Sequence, residues 1–349
     1  MVPRGLVELI GPVIVLAVVG IVGSMGFVDP DLENELRGAL VSVSIVVALY
    51  VFVGNSGVVS FGHVSFVAVG AFAAGVMTVP VALKPTITPG LFSFLGEHSV
   101  GNASSLTLAT ALGGVFALVV GIPLMRLSGL AAGIATFAVL GVTYNILNNW
   151  EKIGPGPLTL TTIPETTDLL QATVGSVAVV VAAFVYQRSR FGRKLRASRE
   201  DPAAARAAGI DIHRERLWAF ALSGALSGFA GGLLVHQAGT LQARDVYLDL
   251  TFLTLAMLVV GGVGSLWGAV VGALAVSALD TFLLRAESGE IGFVNDLIGK
   301  PLWGGSRLVG VAVFMAVVLV LLPEGLTRGR EFRLPFSRRR ALRTRESAT

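Results

Sequence analysis

The sequence predicts an all-α membrane protein of about ten transmembrane helices. Three observations lead there: the composition, the length of the apolar runs and the placement of Lys and Arg. Of 349 residues, 54% are hydrophobic and only 14% charged, with a mean hydropathy of +0.78, whereas soluble domains carry about 25% charged residues. The apolar residues are gathered into runs that suit a hydrocarbon core, which takes about 20 residues at a rise of 1.5 Å each.

In chain order the spans are expected at 5–28, 38–54, 60–79, 106–124, 130–147, 172–186, 217–237, 250–263, 267–284 and 306–322. The first is longer than the apolar core of a signal peptide, and no A-x-A-like cleavage site follows it before Asp29, so it reads as a retained helix. The third opens with Gly57, Ser60, Gly62, His63 and Ser65, the pattern of a broken or re-entrant helix. The eighth is short for a crossing and implies tilt, a kink or continuation into its flanks.

Lys and Arg orient the bundle. With both termini cytoplasmic, 19 of the 26 basic residues lie inside: Arg4, Arg126, nine in the 187–216 loop and eight arginines from Arg328 to Arg345. Arg37, Lys84, Lys152, Arg244, Arg285, Lys300 and Arg307 fall outside, among most of the acids. The net charge of +4 and pI near 9.8 therefore express membrane orientation, not affinity for nucleic acid. The organisation is one membrane unit, 1–327, followed by an Arg-rich tail, 328–349, suited to anionic lipid headgroups. Localisation is the cell membrane, multi-pass.

With no cysteine there is no disulfide framework, thiolate metal site or cysteine nucleophile. The four histidines are scattered, and neither H-E-x-x-H nor a nucleophile elbow occurs, so catalytic residues, metal and cofactor are all expected to be none. Gly261 to Gly268 is rich in glycine but lacks the Lys-Ser/Thr of a P-loop and lies between apolar runs; a tight turn with close helix packing accounts for it. Any ATP chemistry belongs to separate subunits.

The 187–216 loop is expected to be structured. Asp201 as N-cap, Pro202 in the first turn, the alanines from Ala203 to Ala208 and a stop at Gly209 predict a helix of about two turns. Glu200 and Asp201 place negative charge at its start. A helix so short is unstable alone and needs a partner surface.

Five stretches are recognisable together. Gly54-Asn55-Ser56-Gly57-Val58-Val59-Ser60-Phe61-Gly62-His63-Val64-Ser65-Phe66, continuing to Gly70-Ala71-Phe72, is similar to a G-x-x-G-Q-x-S-x-G-H-x-x-F…G-A-Y pattern. Phe191-Gly192-Arg193 through Arg199-Glu200-Asp201, Ala203-Ala204, Gly209-Ile210 and Ala219-Phe220 resembles an F-G-R…R-E-x-x-x-A-A…G-I…A-F signature. Three further stretches, 154–164, 261–272 and 322–326, fall in the expected order along the chain. These residues resemble the permeases of branched-chain amino acid ABC importers, especially the LivM-type subunit. The resemblance implies the architecture of type II ABC importer permeases and three partners: ABC ATPase subunits, a second homologous permease and an extracytoplasmic solute-binding protein. It also implies that Gly192, Arg193, Arg199, Glu200, Asp201, Ala203, Ala204 and Gly209 couple the chain to the ATPase. Val58 and Phe72 depart from the pattern, replacing the usual Gln and the frequent Tyr, and both changes remove hydrogen-bonding groups.

Polar groups inside such a bundle belong where it lines a path. Asn55, Ser60, Gly62, His63 and Ser65 are the candidates for that path, with Thr136, Thr143 and Asn145 as contributors from another span. His63 reads equally as a satisfied packing residue. Asp280 is expected either to pair with a cation or, the favoured reading, to face water at the outer end beside Arg285. The solute expected is a branched-chain amino acid or a related small polar molecule such as an amide or urea. An ion-coupled secondary transporter is the alternative, weakened because the carboxylates within spans, Glu8 and Asp280, both lie near ends. An intramembrane enzyme ranks last.

Overall fold

A computed structural model describes residues 4–24, 29–289 and 305–332. Lys300, Glu290 and the tail beyond Phe332 lie outside the described residues, so most of the Arg-rich anchor does too. The helices are α1 (Arg4–Ser24), α2 (Pro30–Ser56), α3 (Val64–Thr78), α4 (Lys84–Ile87), α5 (Ser93–Glu97), α6 (Asn102–Leu124) and α7 (Leu130–Asn149). They continue with α8 (Leu169–Arg188), α9 (Arg190–Glu200), α10 (Pro202–Ala207), α11 (Ile212–Ala238), α12 (Leu248–Gly261), α13 (Leu266–Glu287) and α14 (Ser306–Leu321). A 3-10 turn, Ala243–Val246, precedes α12.

Six of these helices are long and apolar enough to cross a membrane: α2, α6, α7, α8, α11 and α13. Glu8–Ser24, Val64–Thr78 and Val309–Leu321 are shorter apolar helices, and α12 has 14 residues. The all-α membrane class therefore holds, while among the described residues length and composition qualify six helices as candidate spans, not the ten expected.

Helix α11 is the hub. It packs against α6, α3 and α2, and its small-residue face makes that possible. A Cβ at Gly228 would collide with the Ala109 carbonyl of α6, and one at Gly231 with the Val67 carbonyl of α3. With hydrocarbon outside and inside alike, such close backbone approach supplies the dispersion contact that holds membrane helices together. The α12–α13 hairpin repeats the device: Gly272 lies against the Met257 carbonyl and Gly261 against that of Gly268. The glycine-rich 261–268 stretch is thus a tight turn between packed helices.

Contacts between helix termini sort the loops into two ends. One end gathers the start of α1, the ends of α2 and α6, and the segments α9 and α10. The ion pair Glu8–Arg188, the bond from Arg199 to Gly54, and that from His213 to Met125 join them. The other end carries α4, α5 and the 150–168 loop. There Arg285 pairs with Glu35 at 3.0 Å, and Arg307 forks onto Asp280 at 2.6 and 2.7 Å. Asp280 thus pairs with Arg307, not with Arg285: both carboxylate oxygens are taken by the planar guanidinium entering from α14.

A candidate transmission site at the break between α2 and α3

The sequence Gly54 to His63 folds as a helix end, a turn and a new start. Helix α2 stops at Ser56 because Gly57 turns left-handed, with φ of +70°, a conformation that costs other L-residues about 1–2 kcal/mol. Residues 57–63 then cross to α7, where the Phe61 amide donates to the Thr136 hydroxyl at 3.2 Å. Gly62 lies so close to the Thr136 carbonyl that no Cβ fits.

His63 opens α3 with 3% exposure. Its Nδ1 meets the Ser60 hydroxyl at 2.7 Å and its Nε2 the Ser223 hydroxyl of α11 at 2.8 Å. The Ser223 hydroxyl donates its proton to the Ala48 carbonyl, at 2.5 Å. In the neutral ring Nε2 must therefore carry the hydrogen and donate to Ser223, and Nδ1 accepts from Ser60. Phe52, Phe66 and Phe220 enclose the ring, with centroids 5.2–5.5 Å away. Four segments of chain thus meet at one satisfied polar knot. His63 is thus a satisfied packing residue, placed at the break between α2 and α3.

The other candidates separate. Asn55 and Ser65 are fully buried; the Asn55 amide donates to the Val51 carbonyl at 3.0 Å, whereas its Oδ1 and the Ser65 hydroxyl have no partner among the described residues. Orphaned buried polar atoms are uncommon in a packed interior, and here they flank the break on both sides. Thr136 joins the cluster, but Thr143 does not. It lines an apolar cavity of about 280 Å³ with Phe72, Val76, Met77, Phe116 and Ile146. Asn145 is exposed and bonds back to the Gly141 carbonyl. Ser223 was not singled out from sequence; its signal is its place on the small-residue face of α11, one residue before Gly224.

The 187–216 loop is two short helices set at a corner. Gly192 lies against the Tyr186 carbonyl, leaving no room for a Cβ, and so allows α9 to start with only Ser189 between it and the end of α8. The Asp201 carboxylate accepts from the Ala203 and Ala204 amides at 2.9 and 3.0 Å, capping α10, a contact worth about 1 kcal/mol. Gly209, with φ of +78°, closes α10: its amide donates to the Arg206 carbonyl and that of Ile210 to the Ala205 carbonyl, satisfying the free carbonyls of the last turn. Glu200, the last residue of α9, directly precedes Asp201, which as expected caps the short helix. Ala203, Ala204, Ala207 and Ala208 are exposed, and only Ala205 is buried.

Arg199 ties this corner to the break. Its guanidinium donates to the Gly54 carbonyl at 2.6 Å, satisfying one of the free carbonyls at the C-terminus of α2. Its side-chain stem fills the space where a Cβ at Gly57 would stand, 2.9 Å from Cγ. Glu200, with a side chain 80% exposed, sits 4.0 Å from Arg199 Nε. Lys194, 3.4 Å from Glu215, holds α9 to α11.

Fold and site together define a polytopic helical membrane protein in which an exposed helical corner is wired to a buried break in the bundle. The chain belongs to the family described as branched-chain amino acid transport system, permease component, which matches residues 32–322. It is 33% identical over 144 residues to a probable branched-chain amino acid transport permease protein, LivH, of Methanocaldococcus jannaschii, covering 40% of this chain and 41% of that one. It is 24% identical over 270 residues to the high-affinity branched-chain amino acid transport system permease protein LivM of Escherichia coli K12, covering 67% of this chain and 59% of that protein. It is 26% identical over 260 residues to the autoinducer 2 import system permease protein LsrC of an Enterobacter species, covering 69% and 71%. The chain thus spans about half the length of the first two relatives. No solved structure matches it.

Proposed function

We propose that this chain is the transmembrane permease subunit of an ATP-driven importer, carrying branched-chain amino acids or a related small polar solute. The observation that carries the reading is the joint itself. An exposed, alanine-faced helix, α10, too short to stand alone, is mounted on α9, and the Arg199 of α9 holds the end of the broken helix α2. A partner that rocks α9 must move the 57–63 segment with it.

In this reading ABC ATPase subunits dock on α10, where the alanines allow close approach. Gly192, Arg193, Arg199, Glu200, Asp201, Ala203, Ala204 and Gly209 form or shape that surface. The Lys and Arg bias supports a cytoplasmic position for the α9 end and both termini. A solute-binding protein then meets the opposite end, and a second permease completes the path. The shorter apolar helices α1, α3 and α14, together with α12, bring the proposed count of crossings to ten. Asn55, Ser60, Gly62, His63 and Ser65 move as the path opens; in the conformation described here they are closed within protein. The 280 Å³ cavity, with Thr143 its only hydroxyl-bearing lining residue among the described residues, supports a solute with an aliphatic side chain.

The test is ATP-dependent uptake by the full complex in proteoliposomes. Glu200→Lys and Ala204→Arg are expected to insert and fold normally yet lose coupled uptake, by charge reversal and by steric blockage of a close contact. Native uptake rates in both variants would sink the coupling assignment.

A further inference from the structure

A second polar site lies at the same end of the bundle, linked to the end of α2 by the bond from the Tyr50 hydroxyl to Gln187 at 2.9 Å. A cavity of about 250 Å³ is lined by Glu8, Gln187, Arg188, Arg193, Arg196 and Glu331. It opens where apolar chain ends: Arg188 is the last residue of α8, and Glu8 begins the apolar stretch of α1. That depth is the level of lipid headgroups. The tail forms one wall, with Phe332 against Gly11 of α1 and its ring 5.2 Å from that of Trp267.

The two carboxylates of the cavity are already engaged. Glu8 accepts from Arg188 at 2.6 Å, and Arg188 also lies over the Phe184 ring, 4.9 Å from its centroid. Glu331 accepts from the amides of Leu266 and Trp267, at 3.0 and 3.2 Å, and so caps the start of α13. The remaining arginines are not balanced. Arg196 donates one bond, to the Gln187 carbonyl, and the Arg193 guanidinium makes none among the described residues. Two partly free guanidinium forks facing one cavity suit the oxygens of a phosphoryl group, which they bind in bidentate fashion.

We propose that this cavity is a binding site for a phosphoryl anion, filled by the headgroup of an anionic phospholipid, with Arg193 and Arg196 as its ligands. Either leaflet offers a phosphodiester at that depth, so the site is independent of the orientation proposed above. Its occupant would bridge α9 to α1 and the tail, at the foot of the coupling corner.

The experiment is native mass spectrometry of the full chain released from nanodiscs containing phosphatidylglycerol and phosphatidylcholine. Preferential retention of phosphatidylglycerol is expected, weakened roughly tenfold in Arg193→Gln/Arg196→Gln by loss of charge-assisted bonds. Arg206→Gln, which removes an exposed charge of α10 outside the cavity, is expected to change nothing. In the unaltered chain, a photoreactive phosphatidylglycerol headgroup analogue should label the 187–196 peptide, whatever the folding of the variants. Displacement of the lipid by millimolar inorganic phosphate also upholds a phosphoryl site and makes free phosphate a competing occupant. Equal losses in Arg206→Gln and the double variant, or headgroup labelling spread over other peptides, would overturn it.

Discussion

Two glycine-rich breaks stand at the same end of the bundle, and they are built to opposite effect. At the first, between α2 and α3, the carbonyl of Gly54 is capped by one long side chain, that of Arg199, reaching from a segment that belongs to neither helix. At the second, between α12 and α13, backbone closes on backbone. The Leu326 amide donates to the Val260 carbonyl, the Thr327 amide and hydroxyl both meet the Gly261 carbonyl, and Glu331 caps the amides of α13. Glycine loosens a helix; what replaces the lost helical bonds decides whether the joint moves. On the proposed function the first joint, held to α9 by a side chain and to α7 and α11 by the bonds of Phe61 and His63, is the movable one, and the second, closed by a strap of backbone, is the fixed one.

The largest expected effect lies at the fixed joint. Gly272→Leu would drive a side chain into the Met257 carbonyl and Gly261 of α12, and should abolish accumulation of folded protein, read as loss of a monodisperse peak after detergent extraction. Next comes the movable joint: Arg199→Ala leaves the Gly54 carbonyl without its cap, a loss of about 1–3 kcal/mol. ATP hydrolysis by the complex should continue while uptake per ATP falls; if both fall in proportion, Arg199 is merely structural. Thr327→Val keeps the backbone bond to Gly261 and removes only the hydroxyl bond, so the midpoint of thermal unfolding should drop by the equivalent of about 1 kcal/mol with coupling intact.

The smallest effect is one of pH. Burial raises the Glu331 carboxyl above its ordinary value of 4.5, against the amides of Leu266 and Trp267 that favour its ionised form. A raised folded value means the docked tail binds the proton more tightly than the free tail. Docking is then strongest below 4.5 and weakens as pH rises through the raised value. Fluorescence of Trp267, against which Phe332 packs, should report that change in the native chain and lose it in Glu331→Gln.

Much of this was legible in the residues. Asp201, Pro202 and Gly209 announced a short capped helix because capping and left-handed turns depend on local chemistry, and α10 has the predicted cap and stop. Gly57 and Gly62 announced a break for the same reason. What was not legible came from distant chain. Nothing in the local sequence assigns Ser223 to His63, 160 residues apart, or Arg307 to Asp280 in preference to the nearer Arg285. Nor does the local sequence show that the corner between α9 and α10 falls at a single residue, Asp201, which caps the second helix while ending the first, with Glu200 directly before it.

By itself the sequence determined the class and the family: long apolar runs exclude water as the main solvent, and glycine, capping and signature residues act through neighbours a few positions away. Only the tertiary structure decided which side chain holds which break, because those pairings are set by helix packing, and close approach of α11 to α2, α3 and α6 brings together groups that no local rule connects.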